Sequence, residues 1–500
     1  MDSSRQHGQV LKAMHGNRSR CRSFGAWLGT ALTTAFPLGA CALVATCALM
    51  ACDNDAPGDG IRWKNYPALT QPSKSYRWLV VKCQLPDVTT IPAGLDQNIS
   101  QFFGISGTGY GNIPDYFHDV SYNRASVISD TFLGWVQAPF KSPDLARNGR
   151  LASSVPGRQQ RVQECLSALP ADQLPDLDTF YGVVVVNNAV QDGGACYVGQ
   201  QTLTVGNKNH QLACVWFDPN SLLTEFAAHE IAHGLGMTHS YDDSLRNCGG
   251  NPGEYCDPWD IMSAQGTFQF RDRNWLIGGF ASGAGPGLNA PGLMNMGWIP
   301  ADNQRRFQFE GDDNQTFKLR ALSRPRGTEP LVVLLAIGTD TPFDEIYTVE
   351  YRQGDGWDLG FVTDPRAPAA VVASGGAVFV HQWRPVGTPT STLINGSFAG
   401  ALQPCDTLVL HNGARYVTVD EFNVADGSAT ISIGFGRGKF KYCFRPSDRI
   451  KHDKRAVGSR LPAESDGLKE QSDRPLRVLP PRTSAPDKGP PLPPGVGQPG

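Results

Sequence analysis

Apolar positions between residues 75 and 240 follow two periodicities. Tyr76–Cys83 (YRWLVVKC) and Phe180–Val186 (FYGVVVV) are short apolar runs bounded by turn residues, and they predict strands. Gln201–Val205 and Ala213–Phe217 form a second strand-like pair after Gly193-Gly194. Leu95–Phe103 and Arg158–Leu169 carry helical spacing. Ser221–Gly234 predicts a third helix, with Asp218-Pro219-Asn220-Ser221 supplying the capping residues. Strands alternating with helices around one strongly apolar strand predict an α+β (α/β) domain over 75–303. From 304 to 447 the pattern changes. Thr316–Leu322, Leu331–Ala336, Tyr347–Arg352, Ala377–Trp383 and Ala429–Phe435 alternate with Gly, Asp and Pro turns. No amphipathic helix stands out there, which predicts an all-β, sandwich-like domain.

The two ends read differently. Residues 1–23 carry Arg5, Lys12, Arg18, Arg20 and Arg22 against one acid, Asp2, and Phe24 to Ala51 carries no charge. A basic head before an apolar run is the pattern of an export signal, assigned to 1–52. Leu49-Met50-Ala51-Cys52 resembles a bacterial lipobox, in which Cys52 is lipidated and attaches the chain to a membrane. An ordinary cleaved signal and an uncleaved anchor are the alternatives, and each of the three places the remainder outside the cytoplasm. Residues 53–74 read as a linker or short pro-segment. Residues 448–500 read as a disordered Pro-rich tail, because few large apolar side chains are present to offset the entropy of ordering.

Cysteine usage agrees with export. Eight of the twelve cysteines lie beyond the leader, and sequence order suggests Cys83–Cys165, Cys196–Cys214, Cys248–Cys256 and Cys405–Cys443. None of the eight forms a CxxC pair, so a cysteine-built zinc finger has no support. A formal net charge of −3 over 500 residues gives no global attraction to nucleic acid. The chain has no GxxxxGK[ST] loop and no G-x-S-x-G, which removes nucleotide chemistry and serine-hydrolase chemistry from consideration.

The chemistry concentrates in His229-Glu230-Ile231-Ala232-His233-Gly234-Leu235-Gly236-Met237-Thr238-His239. Residues four apart share a helix face, so His229 and His233 can grip one metal, with Glu230 beside them and free of the ion. Gly236 is placed to take the positive φ that ends a helix and returns the chain so that His239 becomes the third ligand. Three neutral imidazoles leave one open position, the arrangement of catalytic rather than structural zinc. HExxH alone arises by chance in about one chain of this length in a hundred, whereas the complete pattern falls to the order of 10⁻⁵ to 10⁻⁴.

That motif, followed by Asp257-Pro258-Trp259-Asp260-Ile261-Met262-Ser263, resembles the metzincin clan of zinc endopeptidases. Tyr116–Val136 and the later GLMNMGWIP are similar to secreted gametolysin-like and immune-inhibitor-A-like metallopeptidases, and His239 favours the three-histidine gametolysin type. The resemblance implies a metzincin-like catalytic domain, Zn²⁺ as cofactor, Met262 as the Met-turn methionine beneath the metal, and protein or peptide substrates. It also implies Glu230 as general base towards a zinc-activated water. Ala264 stands where astacin- and serralysin-type enzymes carry a tyrosine, so that oxyanion donor is missing. No cysteine-switch motif is evident.

Weaker signals complete the reading. Asp242, Asp243, Glu254, Asp257 and Asp260 form an acidic loop with a secondary claim on Ca²⁺, although it lacks EF-hand order. Asp257 and Asp260 are expected to orient the zinc histidines. An extended substrate is expected to pair with Gln201–Val205 or Ala213–Phe217 at a sheet edge. His118, His210, His381 and His411 are isolated along the chain and read as structural or exposed. Two rival functions stand beside the endopeptidase: a catalytically silent surface adhesion or binding protein, and a zinc amidase acting on small or cell-wall amides.

Overall fold

A computed structural model describes residues 73–104, 112–142, 155–190, 193–263, 266–277, 280–308, 314–325, 329–337, 345–385, 387–394, 400–410 and 415–435. The expected leader, the pro-segment up to residue 72, the Pro-rich tail, Ala264, His411 and Cys443 lie outside the described residues.

The first half of the chain builds a three-layer α/β unit. Its elements are β1 (Lys74–Gln84), α1 (Leu95–Gly104), α2 (Ile113–Val120), β2 (Ala125–Gln137), α3 (Val155–Ser167), β3 (Gly182–Asn187), β4 (Gly194–Ala195), β5 (Gln201–Val205), β6 (Lys208–Phe217) and α4 (Thr224–Gly234). The sheet runs β2-β1-β3-β6-β4, with β5 against the N-terminal half of β6. The first four strands are mutually parallel, and β4 and β5 are antiparallel to β6. Every residue of β3 is buried, as expected for a parallel strand covered on both faces. Alternate residues of the central strands divide two cores. Trp78, Val80, Val184, Val215 and Phe217 face α1, α2 and α4, while Leu79, Val81, Val183, Val185 and Trp216 face α3. Disulfides tie β1 to α3 (Cys83–Cys165) and the residue after β4 to β6 (Cys196–Cys214), and a third joins Cys248 to Cys256. These three pairs match the sequence expectation and suit an oxidising compartment outside the cytoplasm.

The second half is β-rich. It comprises β7 (Ser240–Asp242), β8 (Phe270–Ile277), β9 (Phe280–Ala284), α5 (Ala290–Asn295), β10 (Gln304–Gln308), β11 (Gln315–Arg320), β12 (Val332–Ile337), β13 (Glu345–Gln353), α6 (Gly360–Thr363), α7 (Ala369–Ser374), β14 (Gly376–Trp383), β15 (Ser391–Leu393), β16 (Thr407–Leu410), β17 (Arg415–Asn423) and β18 (Ser428–Phe435). Two sheets, β10-β12-β13-β14-β15-β7 and β11-β18-β17-β16, share a core that includes Leu335, Val349, Tyr351, Val380, Val417 and Ile431. The sandwich expectation therefore describes the strands, but the all-β part of it does not hold: α6 and α7 interrupt the strands between β13 and β14.

The change at 303/304 is a change of architecture inside one compact unit. β7, which begins one residue after His239, pairs in parallel with β15 and closes the edge of the sandwich sheet. The core around α4 also continues into Leu331, Val332, Leu334 and Trp383. One boundary near the site differs from expectation. The helix begins at Thr224 rather than Ser221, because Pro219–Ser221 forms a separate 3₁₀ turn, and Asp218 and Ser221 cap that turn instead of α4.

Candidate metal centre

α4 carries the first two histidines and Glu230 on its buried side, with His229, Glu230 and His233 at 2%, 8% and 6% exposure. Burial of these polar groups has a specific cause. Gly234 lets the helix lie directly on the sheet, since a Cβ there would come within 2.7 Å of the Trp78 ring. The helix then stops cleanly. Leu235 N–H is held by Ile231 and Ala232 carbonyls, and Gly236 takes φ +104°. That turn brings the Met237 carbonyl within 2.8 Å of His233 Nδ1 and sends the chain back so that His239 faces the other two rings. Ring centroids lie 4.5 Å apart for His229–His233, 4.7 Å for His233–His239 and 5.5 Å for His229–His239.

Each imidazole is oriented through Nδ1. His229 Nδ1 donates to the Ile261 carbonyl at 2.9 Å, His233 Nδ1 to Met237, and His239 Nδ1 to Glu254 Oε1 at 2.5 Å. With Nδ1 protonated, Nε2 carries a lone pair, so His229 Nε2 and His233 Nε2 meet at 2.9 Å as two acceptors. Two facing lone pairs repel unless a cation lies between them, and potential ligand atoms of all three histidines fall within 4.8 Å of one another. Burial lowers the pKa of all three rings, His229 well below its usual value and His233 to about 4, which keeps them neutral. The donor set fits a tetrahedral divalent zinc ion with one position left over.

The surrounding residues include several that the motif did not announce. Glu254 is the carboxylate that orients a ligand. Its other oxygen accepts from Asn251 N and Nδ2 at 2.7 and 2.8 Å. Burial works against its charge, but the Asn251 amide and His239 outweigh that and lower its pKa. The Tyr255 ring packs against His239 at 4.2 Å between centroids, tilted by 46°, and its hydroxyl lies 2.8 Å from His239 Nε2. It adopts φ +62°, a conformation uncommon for a bulky residue, with its N–H held by the Ser240 carbonyl. The Cys248–Cys256 bridge closes the loop that presents both residues. Glu230 is held by β4, whose Ala195 N–H donates to Oε2 at 2.7 Å, while Arg158 Nη1 donates to the Ala195 carbonyl at 3.3 Å.

Three sequence expectations are corrected here. Asp257 and Asp260 do not touch the histidines: Asp257 pairs with His381 Nε2 at 3.1 Å, and Asp260 accepts from Ser240 Oγ and from Asn289 N. The acidic loop does not converge as a calcium site either. Asp242 is bound to Arg246 at 2.7 Å, Glu254 belongs to His239, and among the described residues only the three histidines form a metal-holding group. Finally, Ala213–Phe217 is flanked on both sides by β3 and β4 and is no edge, whereas Gln201–Val205 pairs among the described strands with residues 208–212 of β6 alone and is an edge as expected. The edge next to Glu230 is β4.

Met262 is 2% exposed in the 3₁₀ turn Ile261–Ser263, whose Ile261 carbonyl holds His229. This turn rests on a buried polar cluster supplied by the β-rich half. Arg352 donates through Nη1 to the Trp259 carbonyl at 2.8 Å and through Nε to Asp358 at 2.9 Å, with Nη2 on the same carboxylate. Glu350 Oε2 accepts from Ala290 N at 2.5 Å. His381 is therefore not isolated. Burial alone would lower its pKa, but Glu350 and Asp257 raise it overall.

In comparisons with known proteins, no family model matches the chain and no curated protein sequence is similar to it.

Proposed function

We propose that the chain is an exported zinc-dependent endopeptidase of metzincin type. The observation that supports this most is the convergence of three Nδ1-anchored imidazoles beside the Glu230 carboxylate, which the Ala195 amide holds. His229, His233 and His239 would hold the ion, and zinc, when bound there, supplies a Lewis acid that acidifies water and polarises a carbonyl. Glu230 takes the proton of the attacking water and returns it to the departing amine, acting first as base and then as acid. The Ala195 amide aims the carboxylate. Tyr255 supplies the donor that Ala264 cannot: burial raises its pKa, so the phenol stays protonated and can donate to the developing oxyanion. Export as a lipoprotein through Cys52, as a secreted chain or as an anchored one agrees with the disulfides.

Hydrolysis of a diverse peptide library by the full zinc-supplemented chain tests the reading, with chelator and Glu230→Ala as controls. Cleavage abolished by both supports the endopeptidase. A folded, zinc-loaded protein that cuts no peptide contradicts it and moves the amidase or binding-protein reading forward.

A further inference from the structure

Glu225 stands one helical turn before His229, on the same face of α4. Its carboxylate borders a cavity of about 800 Å³. One wall is the N-terminal turn of α4, with Leu223 and Glu225. A second is the stretch that follows the Met262 turn, with Gln269, Phe270 and Gly283. The floor, Leu359 to Arg366, comes from the β-rich half. The cavity thus opens between the metal-binding helix and the segment leading away from the turn beneath the metal.

Glu225 is the unexplained group in this cavity. Its Oε2 is buried and has no hydrogen-bond partner, an expensive state for a carboxyl group. The nearby cation does not relieve it. Arg366 is committed to Asp364, at 2.9 Å through Nε and 2.6 Å through Nη2, and also to the Thr267 carbonyl at 2.6 Å. The same Asp364 accepts from Gln269 N at 3.0 Å. Arg271, at the rim, is exposed to solvent. Space is kept open opposite Glu225 by Gly283, where a Cβ would lie 3.1 Å from Glu225 Oε2 and 2.6 Å from Gln269 Oε1. The cavity is thus apolar along Leu223, Phe270 and Leu359 and ends on a carboxylate whose Oε2 lacks a partner.

We propose that this cavity receives the side chain of a substrate residue flanking the scissile bond, and that Glu225 selects lysine or arginine there. The proposal rests on the peptidase reading of the neighbouring histidines. A lysine or arginine stem packs along the apolar walls, and its charged head supplies the ion pair that Glu225 lacks. An aliphatic guest leaves Glu225 Oε2 unpartnered and an acidic guest meets like charge, so both are disfavoured. Burial raises the Glu225 pKa to about 7, so an arriving cation displaces its proton at modest cost near neutral pH.

The test compares wild type, Glu225→Gln, Glu225→Lys and Gly283→Ala as full zinc-loaded chains. Cleavage-site mapping uses peptides carrying Lys, Arg, Leu or Glu at each position around one bond. Binding of the same peptides to the Glu230→Ala protein, with and without Glu225→Gln, is read by fluorescence anisotropy. The expected result is a preference for Lys or Arg of about tenfold or more at one position, flattened by Glu225→Gln and turned towards Glu by Glu225→Lys. Gly283→Ala weakens it from the opposite wall, with thermal melting and zinc content as controls. A wild type without basic preference, or a Glu225→Gln protein that keeps it, overturns the proposal. If no peptide is cut by any variant, the peptidase reading fails and anisotropy alone decides the cavity. Tighter binding of Lys peptides that depends on Glu225 sustains a basic side-chain site, and equal binding removes it.

Discussion

The histidine centre and the polar cluster beneath it are both buried, yet they are built on opposite principles. At the centre, burial holds three imidazoles neutral, and backbone carbonyls or Glu254 claim one nitrogen of each, leaving the others as lone pairs. Beneath it, Glu350, Arg352, Asp358 and His381 from the β-rich half meet Asp257 and Asp260 in a network of ion pairs of opposite charge, in which only Glu350 Oε1 and His381 Nδ1 lack a hydrogen bond. The first region is arranged to need a guest, and the second to hold a turn still. The difference assigns work to the β-rich half: it anchors Trp259 and the Met262 turn, on which His229 depends.

Substitutions in the two regions should have opposite consequences for activity and stability. The largest effect is expected at Glu230. Glu230→Ala should lower kcat/KM by roughly 10²–10⁴-fold while leaving the melting temperature and zinc content near wild type, measured by peptide hydrolysis and calorimetry. Arg352→Met should do the reverse. It strands the Asp358 carboxylate, which is 3% exposed, and should cost about 3–5 kcal/mol in denaturant unfolding. Tyr255→Phe comes next, with kcat down roughly 10²-fold, KM little changed and zinc retained. Glu254→Gln should weaken zinc affinity by about 10–100-fold in a competitive chelator titration.

A smaller, pH-dependent effect separates the polar cluster further. Burial and the neighbouring Asp257 raise Asp260 to about 7. The folded chain therefore holds a proton at Asp260 that the unfolded chain has lost above its usual value of 3.8. The sign follows: the Asp260 contribution to stability is largest below the unfolded pKa and declines as pH rises towards 7. Denaturant midpoints of Asp260→Asn measured from pH 4 to 8 should lack this decline; an unchanged slope would place its origin elsewhere.

Legibility in the sequence followed distance along the chain. His229, His233 and His239 fall within one helix and one turn, so spacing alone predicted their convergence, and Gly236 adopts the positive φ expected of it. Neighbouring-cysteine order was enough for the three disulfides among the described residues. Tyr255 was hidden because a tyrosine at positive φ is no sequence signal, although it directly precedes Cys256 and the Asp257–Ser263 segment. Glu254 was visible only as one acid among several, with nothing to separate it from Asp257 until the fold placed one on His239 and the other on His381. β7 could not be read as a strand, since three residues acquire strand geometry only by pairing with β15, about 150 positions later. β2 escaped because its alternation mixes Ser, Asp and Thr with Val and Ile at a sheet edge.

The most direct test of the account is X-ray absorption at the zinc edge on the folded, full-length chain, paired with metal quantification for His233→Ala. The account predicts one zinc per chain with three nitrogen ligands and one lighter-atom position, and loss of that zinc in the variant without loss of the fold. A folded wild-type chain that binds no zinc, or binds it equally well without His233, would contradict it.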